Sequence, residues 1–135
     1  MAEVHYAVGE TLRVDEFIDL LQRSTLAARR PVDDHACLQG MLDHADLMVT
    51  ARRDGELVGI ARSVTDFHYC CYLSDIAVDR AQQNRGIGRR LIHETRERLG
   101  PRCKLILLSA PEAAGYYPKL GFSHHPRAWL LDAPT

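Results

Sequence analysis

A short stretch of the sequence, QNRGIGRRL at residues 83–91, combines two closely spaced glycines with several arginines. Gly86 and Gly88 lack Cβ atoms, so an anion can approach their backbone N–H groups. The apolar spacing that follows indicates an amphipathic helix, and the first turn of a helix carries unpaired N–H groups and partial positive charge. The pattern therefore predicts a site for a phosphorylated ligand, most plausibly a pyrophosphate. The arginines that add positive charge there are Arg80, Arg85, Arg89 and Arg90.

Two common phosphate-binding patterns do not match this stretch. The Walker A pattern, GxxxxGK[ST], occurs nowhere in the chain. The dinucleotide fingerprint needs a third glycine where Leu91 stands, and an acidic residue in a region where residues 103–108 are mostly apolar. The stretch is therefore either a phosphate loop of another kind or a plain glycine turn before a helix.

Length and composition narrow the class of protein. The 135 residues suit one domain, taken as residues 1–135, and a net charge of −1 does not favour a nucleic-acid surface. No apolar run approaches the roughly 20 residues of a membrane span, and the N-terminus lacks the pattern of a secretory signal. The four cysteines have neither zinc nor disulfide spacing. We therefore expect a cytoplasmic protein with reduced thiols and no metal.

The order of predicted elements indicates a mixed sheet with packed helices. A hairpin around Asp54-Gly55 is its clearest local signal, and Asp33 and Asp34 suit the start of a helix. The chain is α/β (α+β) in class. Strands are predicted at residues 4–10, 47–66 (as the hairpin), 68–79, 103–110 (buried) and 122–131, and helices at 13–26, 33–45, 85–100 and 111–121.

Two of these segments resemble a known family. The segment QNRGIG is similar to the Q/R-x-x-G-x-G/A signature of the GNAT superfamily of acyl-CoA N-acyltransferases, and AAGYYPKLGF at residues 113–122 resembles its A-x-x-F-Y-x-K-x-G-F segment. The resemblance covers essentially the whole chain and is strongest over residues 73–122. It implies a GNAT fold, a central mixed and mostly antiparallel sheet flanked by helices, and acetyl-CoA as cosubstrate.

The resemblance also implies how coenzyme A would bind. Backbone N–H groups of residues 85–89 would hold the pyrophosphate, while a bulge in the strand before them opens a slot in which the pantetheine arm pairs like an extra strand. One N–H of that strand would polarise the thioester carbonyl. The implied cofactor-binding residues are Ile76, Ala77, Val78, Gln83, Asn84, Arg85, Gly86, Ile87, Gly88 and Arg89.

Tyr117 matches the family tyrosine that protonates the departing thiolate. A phenol with a pKa of about 10 can donate a proton to a thiolate of similar basicity. Tyr116 matches a packing position. Two departures stand nearby: Ala110 replaces an asparagine that contacts the pantetheine arm in many relatives, and Pro118 replaces an acidic residue and should bend or end the helix.

An amine substrate must lose a proton before it attacks. Asp75, Glu112 and His68 are the bases considered, and Asp75 is the predicted catalytic residue because it lies in the strand beside the expected acetyl site. It would bind the ammonium or take its proton through water. The alternative is a carboxylate bonded to backbone at the bulge.

The acceptor pocket is expected in residues 24–39, between the first two helices. Arg29 and Arg30 would meet a carboxylate or phosphate, and Asp33 and Asp34 a polyamine; the alternative is a solvated loop with capping acids. Trp129 fits a pocket wall, an interface or the core. The amine itself is not specified.

The resemblance thus implies an N-acetyltransferase that transfers an acetyl group to a primary amine of a small molecule, by direct attack in a ternary complex. Two alternatives stay open: a protein or peptide N-acetyltransferase, and a catalytically impaired sensor that binds coenzyme A. The resemblance also suggests a homodimer, and residues 122–131 would supply an exposed strand edge for it. Neither a nucleic acid nor a membrane is expected as a partner.

Overall fold

The computed structural model describes residues 3–134, which form one five-stranded sheet with helices on both faces. Four short 3₁₀ turns complete the described part. The strands are β1 (Val4–Val8), β2 (Leu47–Arg53), β3 (Glu56–Thr65), β4 (Cys70–Val78) and β5 (Lys104–Ile106), and the helices are α1 (Val14–Arg23), α2 (His35–Asp43) and α3 (Ile87–Arg96). The 3₁₀ turns are Leu26–Arg29, Arg80–Gln82, Pro111–Ala113 and Tyr117–Leu120.

The strands lie in the order β1-β2-β3-β4-β5, and each pair is antiparallel except β4 with β5. The parallel pair is short, because it joins only residues 70–72 to residues 104–106. Among residues 3–134, no strand pairs with the rest of β4 on that side. This architecture confirms the predicted fold class.

Two predictions about local structure are confirmed, the hairpin turn at Asp54-Gly55 and the start of a helix at Asp34. Asp54 and Gly55 both adopt positive φ, 52° and 79°, as a two-residue hairpin of type I′ requires. Asp34 caps α2, since its side chain accepts a hydrogen bond of 3.0 Å from the backbone N–H of Cys37. Both features depend on residues that are neighbours in the sequence.

A β-bulge interrupts β4 at Ser74. Arg62 on β3 is opposite Asp75, but its neighbour Ser63 is opposite Leu73, so one extra residue lies in β4. The extra residue reverses the alternation of side chains. Leu73 consequently packs in the cluster beneath α3, whereas the side chain of Asp75 faces the other side of the sheet.

Each face of the sheet has its own apolar cluster. Helices α1 and α2 cover one face, where Phe17, Leu21 and Leu38 are fully buried. Helix α3 covers the opposite face. It approaches closely at Gly59, where a Cβ atom would lie 3.1 Å from side-chain atoms of both Ile87 and Leu91. The bare backbone at Gly59 thus lets α3 lie against β3.

The prediction of a buried strand over residues 103–110 is wrong, because the strand is shorter and is partly exposed. Only Lys104–Ile106 is strand, and Ile106 and Leu108 are 50% and 59% exposed. Within residues 3–134, β5 is the last strand of the sheet, so its second edge faces solvent. An apolar run does not distinguish a central strand from such an edge.

The predicted strand over residues 122–131 is also wrong, because these described residues form no strand. Trp129 is 96% exposed, which excludes core packing for its side chain in this arrangement. The predicted helix over residues 111–121 is instead two 3₁₀ turns, and Pro118, which lacks an N–H, lies in the second of them. No helix among residues 3–134 is long and apolar enough to span a membrane.

Candidate active site

The first component of the site is the open edge of β4 beyond the bulge. The N–H of Asp79 donates to the carbonyl of Val58 on β3 at 2.9 Å, so by strand alternation the backbone of Ala77 also faces β3. Ile76 and Val78 then direct their backbone groups to the edge that β5 leaves free. Gln83 donates from its side chain to the carbonyl of Val78 at 3.2 Å. The edge offers groups to which an extended ligand can pair.

The second component is the loop that leads from β4 into α3. Asn84 and Gly86 adopt positive φ, 65° and 79°, and Gly86 is the N-cap of α3 with no side-chain cap. The first i to i+4 bond of the helix runs from the N–H of Arg90 to the carbonyl of Gly86 at 3.0 Å. The N–H groups of residues 87–89 therefore have no partner inside the helix, and no acidic residue occupies its first turn.

The structure gives the two glycines of this loop different roles. A Cβ atom at Gly86 would meet nothing within 4 Å, so the space there is free for a ligand. A Cβ atom at Gly88 would lie 3.0 Å from the hydroxyl oxygen of Tyr116. The sequence suggested that both glycines admit an anion, but Gly88 leaves room for a tyrosine of the same chain.

Sequence reasoning missed the pair that fixes the start of this loop. Asp79 is buried and forms an ion pair with Arg23 of α1, while its other oxygen accepts from the N–H of Ala81 at 2.9 Å. Arg23 also donates to the carbonyl of Leu57 at 2.7 Å. The signal in the sequence was an aspartate directly after a buried strand. Its partner is 56 residues away, so no local pattern links the two.

The arginines around the loop divide into two groups. Arg90 is held elsewhere, since its guanidinium lies 4.8 Å from the ring centre of Tyr6 and bonds Glu94 at 3.1 Å. Arg80, in the 3₁₀ turn after β4, is exposed, and Arg85 and Arg89 are exposed beside the loop itself. The latter two are the arginines best placed to meet a bound anion.

Tyr117 lies in the apolar cluster beneath α3, toward which Ile76 and Val78 of β4 also pack. Its ring makes edge contacts with Tyr116 and Phe122, with centroids 5.4 and 5.5 Å apart. Burial, followed by the neighbouring Tyr116, raises the pKa of Tyr117. A raised pKa keeps the phenol protonated at neutral pH, as a proton donor requires.

Asp75 is fully buried and lies between two arginines. Its Oδ1 accepts from Nε of Arg30 at 2.5 Å, and its Oδ2 pairs with Nε of Arg62. The alternative of a carboxylate bonded to backbone does not describe this arrangement. Because the side chain has no exposed surface, a direct contact with a substrate amine needs Arg30 to move away.

The other predicted bases lie at different positions. His68 is exposed in the turn before β4, at the end where β4 and β5 are paired and away from the open edge. Glu112 lies in the turn after β5, and its carboxylate is 3.9 Å from the guanidinium of Arg29. Arg62 was not recognised from the sequence. The signal was a single charge inside the apolar run of the hairpin.

Comparisons with known proteins agree with this geometry. The family model described as Acetyltransferase (GNAT) domain matches residues 44–124, more than half of the chain. The chain therefore belongs to the GNAT acetyltransferase family. The match contains the bulge in β4, the loop into α3, and Tyr117.

Individual relatives extend the likeness to nearly the whole chain. A GCN5-related N-acetyltransferase of Arabidopsis thaliana, described as chloroplastic, is 29% identical over 113 residues; the match covers 81% of this chain and 57% of that protein. A structure from Xanthomonas campestris assigned to the GNAT family is 25% identical, with a TM-score of 0.77 and coverage of 99% and 95%. The aminoglycoside N-acetyltransferase AAC(6')-Iy, in complex with CoA, shares the fold at 20% identity, with a TM-score of 0.71 and coverage of 100% and 97%.

Proposed function

We propose that the protein is an acetyl-CoA-dependent N-acetyltransferase acting on a primary amine of a small molecule. One observation carries the proposal: β4 parts from β5 just before the bulge and leads, through the loop at residues 79–86, into the N-terminus of α3, which has no side-chain cap. This arrangement puts an unpaired strand edge and an anion site in series. A pantetheine arm linked to a pyrophosphate has the same two parts in the same order.

The residues present fit coenzyme A. Ile76 and Val78 would pair with the pantetheine arm, with Ala77 between them as the residue that holds β4 to β3. Residues 83–89 would surround the pyrophosphate, through the free N–H groups of the first turn of α3 and the charge of Arg85 and Arg89. The CoA bound to the structurally similar AAC(6')-Iy supports this assignment.

The chemistry that follows is direct acyl transfer. Acetyl-CoA supplies the acetyl group as a thioester. The amine nitrogen attacks the carbonyl carbon, the new C–N bond forms, and the C–S bond breaks with its electron pair on sulfur. The hydroxyl of Tyr117 donates a proton to that sulfur. The ammonium loses one proton to water before the attack. As the amide forms, the nitrogen loses a second proton, which returns through water to the phenolate of Tyr117. Asp75 takes part directly only when Arg30 leaves its carboxylate.

The class of acceptor separates this proposal from its alternatives. Purified protein is assayed for release of the CoA thiol with amino acids, polyamines and aminoglycosides, and in parallel with peptides that offer α-amino groups or lysines. Turnover of a small amine with no peptide acetylation is the expected result. Preference for peptides would identify a protein N-acetyltransferase. Binding of acetyl-CoA with no turnover of any amine would identify a sensor.

We also propose that the protein is a cytoplasmic homodimer, in keeping with the four cysteines, which are free thiols. Ile106 at the end of β5 and Leu108 just after it are exposed, and the C-terminal segment exposes Trp129, Leu130 and Leu131. Apolar surface of this kind is rarely left open. Since one chain carries both a strand edge and an uncovered apolar segment, two copies can cover each other by a symmetric exchange.

A further inference from the structure

Two arginines from different parts of the fold meet at Asp75. Arg62 belongs to β3 and its side chain is 7% exposed, whereas Arg30 follows the 3₁₀ turn after α1 and its side chain is 21% exposed. Each guanidinium occupies one carboxylate oxygen, so the cluster has two positive charges and one negative charge. The three side chains join the connection between α1 and α2 to the sheet.

The same two arginines also hold the extra residue of the bulge. Nη2 of Arg30 donates to the carbonyl of Ser74 at 2.7 Å, and Nη2 of Arg62 donates to the hydroxyl of Ser74 at 2.9 Å. Ser74 therefore has its carbonyl and its side chain fixed by separate guanidinium groups. The bulge lies just beyond the last residue of β4 that pairs with β5, so these bonds anchor the extra residue ahead of the open edge.

Removal of Arg62 and removal of Arg30 should have different effects on the stability of the fold. Arg62 lies within β3, and its Nη1 donates to the carbonyl of Met41 in α2 at 3.2 Å. If Arg62 were lost, the only remaining arginine at Asp75 would be Arg30, which lies in the connection between α1 and α2. If Arg30 were lost, Asp75 would still be paired with Arg62, so no buried charge would stand alone. Arg30 can thus be removed without the main cost of unpairing a buried ion.

We propose that Arg30 is a positioning residue that couples the connection between α1 and α2 to the bulge of β4. The inference rests on the proposed function, because the connection borders the acceptor side of a site whose coenzyme side begins at the bulge. Arg30 also donates to the carbonyl of Arg29 at 2.8 Å, which fixes the connection to its own side chain. Movement of the connection is therefore transmitted to Ser74.

The kinetic test compares Arg30→Ala with wild type and with Arg13→Ala as control. Arg13 is an exposed arginine at the start of α1 that also lies near a carboxylate, 3.6 Å from Asp15, a pair that includes neither Asp75 nor Ser74. For Arg30→Ala we expect kcat/KM for the amine to fall by about tenfold to a hundredfold, the range seen when a substrate is misplaced. The Kd for CoA should change by less than about threefold. Millimolar guanidinium should restore part of the activity by occupying the vacated acceptors.

Hydrogen exchange gives a readout that does not depend on turnover. In Arg30→Ala, amides of residues 26–34 and of residues 73–76 should exchange faster together, and guanidinium should slow both segments. Faster exchange confined to residues 26–34, or unchanged exchange in both, would contradict the coupling. If the wild-type protein acetylates no amine, but Arg30→Ala still speeds hydrogen exchange in both segments, the proposed function is contradicted and the coupling is not. Parallel loss of CoA affinity and thermal stability in Arg30→Ala, without rescue by guanidinium, would show a merely structural role.

Discussion

The hydroxyl of Tyr116 lies 3.0 Å from the point that a Cβ atom would occupy at Gly88. This contact joins the segment that carries Tyr117 to the first turn of α3, where the pyrophosphate is proposed to bind. Burial raises the pKa of Tyr116, although Arg89 acts in the opposite direction. The tyrosine assigned to packing is therefore the one that touches the phosphate loop.

This contact predicts a coupling between two substitutions. Alanine at Gly88 gains up to about 1 kcal/mol of helix propensity. In wild type, the contact with Tyr116 should offset that gain, because an inserted methyl group in a filled space costs about 1–3 kcal/mol. In a Tyr116→Phe background the hydroxyl is gone and Gly88→Ala should stabilise. Urea denaturation of the four proteins measures the difference, and equal effects in both backgrounds would show that the contact carries no energy.

Tyr117→Phe tests the proposed proton donor. We expect kcat to fall by about a hundredfold, a typical contribution of general acid catalysis, while the Kd for CoA stays within about twofold. Tyr69→Phe serves as the control, because Tyr69 is exposed and its ring packs against Lys104. Unchanged kcat in Tyr117→Phe would remove this residue from its role.

The same tyrosine predicts a pH dependence. Burial raises the pKa of Tyr117 above the ordinary value of a phenol, which is about 10. The donor is therefore protonated throughout the neutral range, and activity that depends on it should decline only above about pH 10. The pH dependence of kcat measures this decline. A wild-type decline near neutral pH that Tyr117→Phe abolishes would contradict the assignment of a raised pKa.

Asp66 predicts how stability falls in acid. Backbone N–H groups of Tyr69, Cys70 and His68 donate to its carboxylate and lower its pKa to about 2. Its folded pKa lies below the unfolded value of about 4, so its contribution is present above that value and is lost as pH falls through about 2.

Asp66→Asn should therefore lower stability at neutral pH and flatten the decline between about pH 4 and pH 2. Asp33→Asn, at an exposed position without this arrangement of donors, is the control. Urea denaturation across this pH range makes the measurement. If Asp66→Asn and wild type lose stability in parallel, the bonds to Asp66 do not contribute in the way proposed.

The C-terminal segment predicts the oligomeric state. Wild type should be a dimer by light scattering, and replacing Trp129 and Leu131 with serine should give a monomer that keeps its secondary structure, because both side chains are almost fully exposed in one chain. Ser123→Ala changes the same segment without removing apolar surface and should remain dimeric. A wild type that is monomeric at every concentration would contradict the proposed exchange.

Short-range signals in the sequence predicted most of the architecture. The hairpin at Asp54-Gly55, the cap at Asp34 and the start of α3 at Gly86 depend on the backbone preferences of a few neighbouring residues. These preferences are local, so they do not depend on the tertiary structure of the rest of the chain. The family motif added the prediction that the loop and Tyr117 belong to one site.

The features that escaped prediction depend on distant partners. Residues 122–131 have strand composition, but they do not pair with the free edge of β5, and composition alone does not fix a strand. Asp75 was recognised as buried in a strand, but Arg30 and Arg62, which surround it, come from elements that the sequence does not connect to it. Nor did the spacing of Gly88 reveal that Tyr116 would fill the space beside it.

Thermal unfolding with acetyl-CoA, CoA, ATP and NADH tests the central claim most directly. A ligand that binds only the folded state at 100 times its Kd adds about 2.7 kcal/mol. For a chain of this size, this raises Tm by several degrees. We expect such a rise with acetyl-CoA and CoA and none with NADH or ATP. A rise with ATP or NADH and none with either coenzyme A species would contradict the assignment of the loop, and with it the roles proposed for Tyr117 and Asp75.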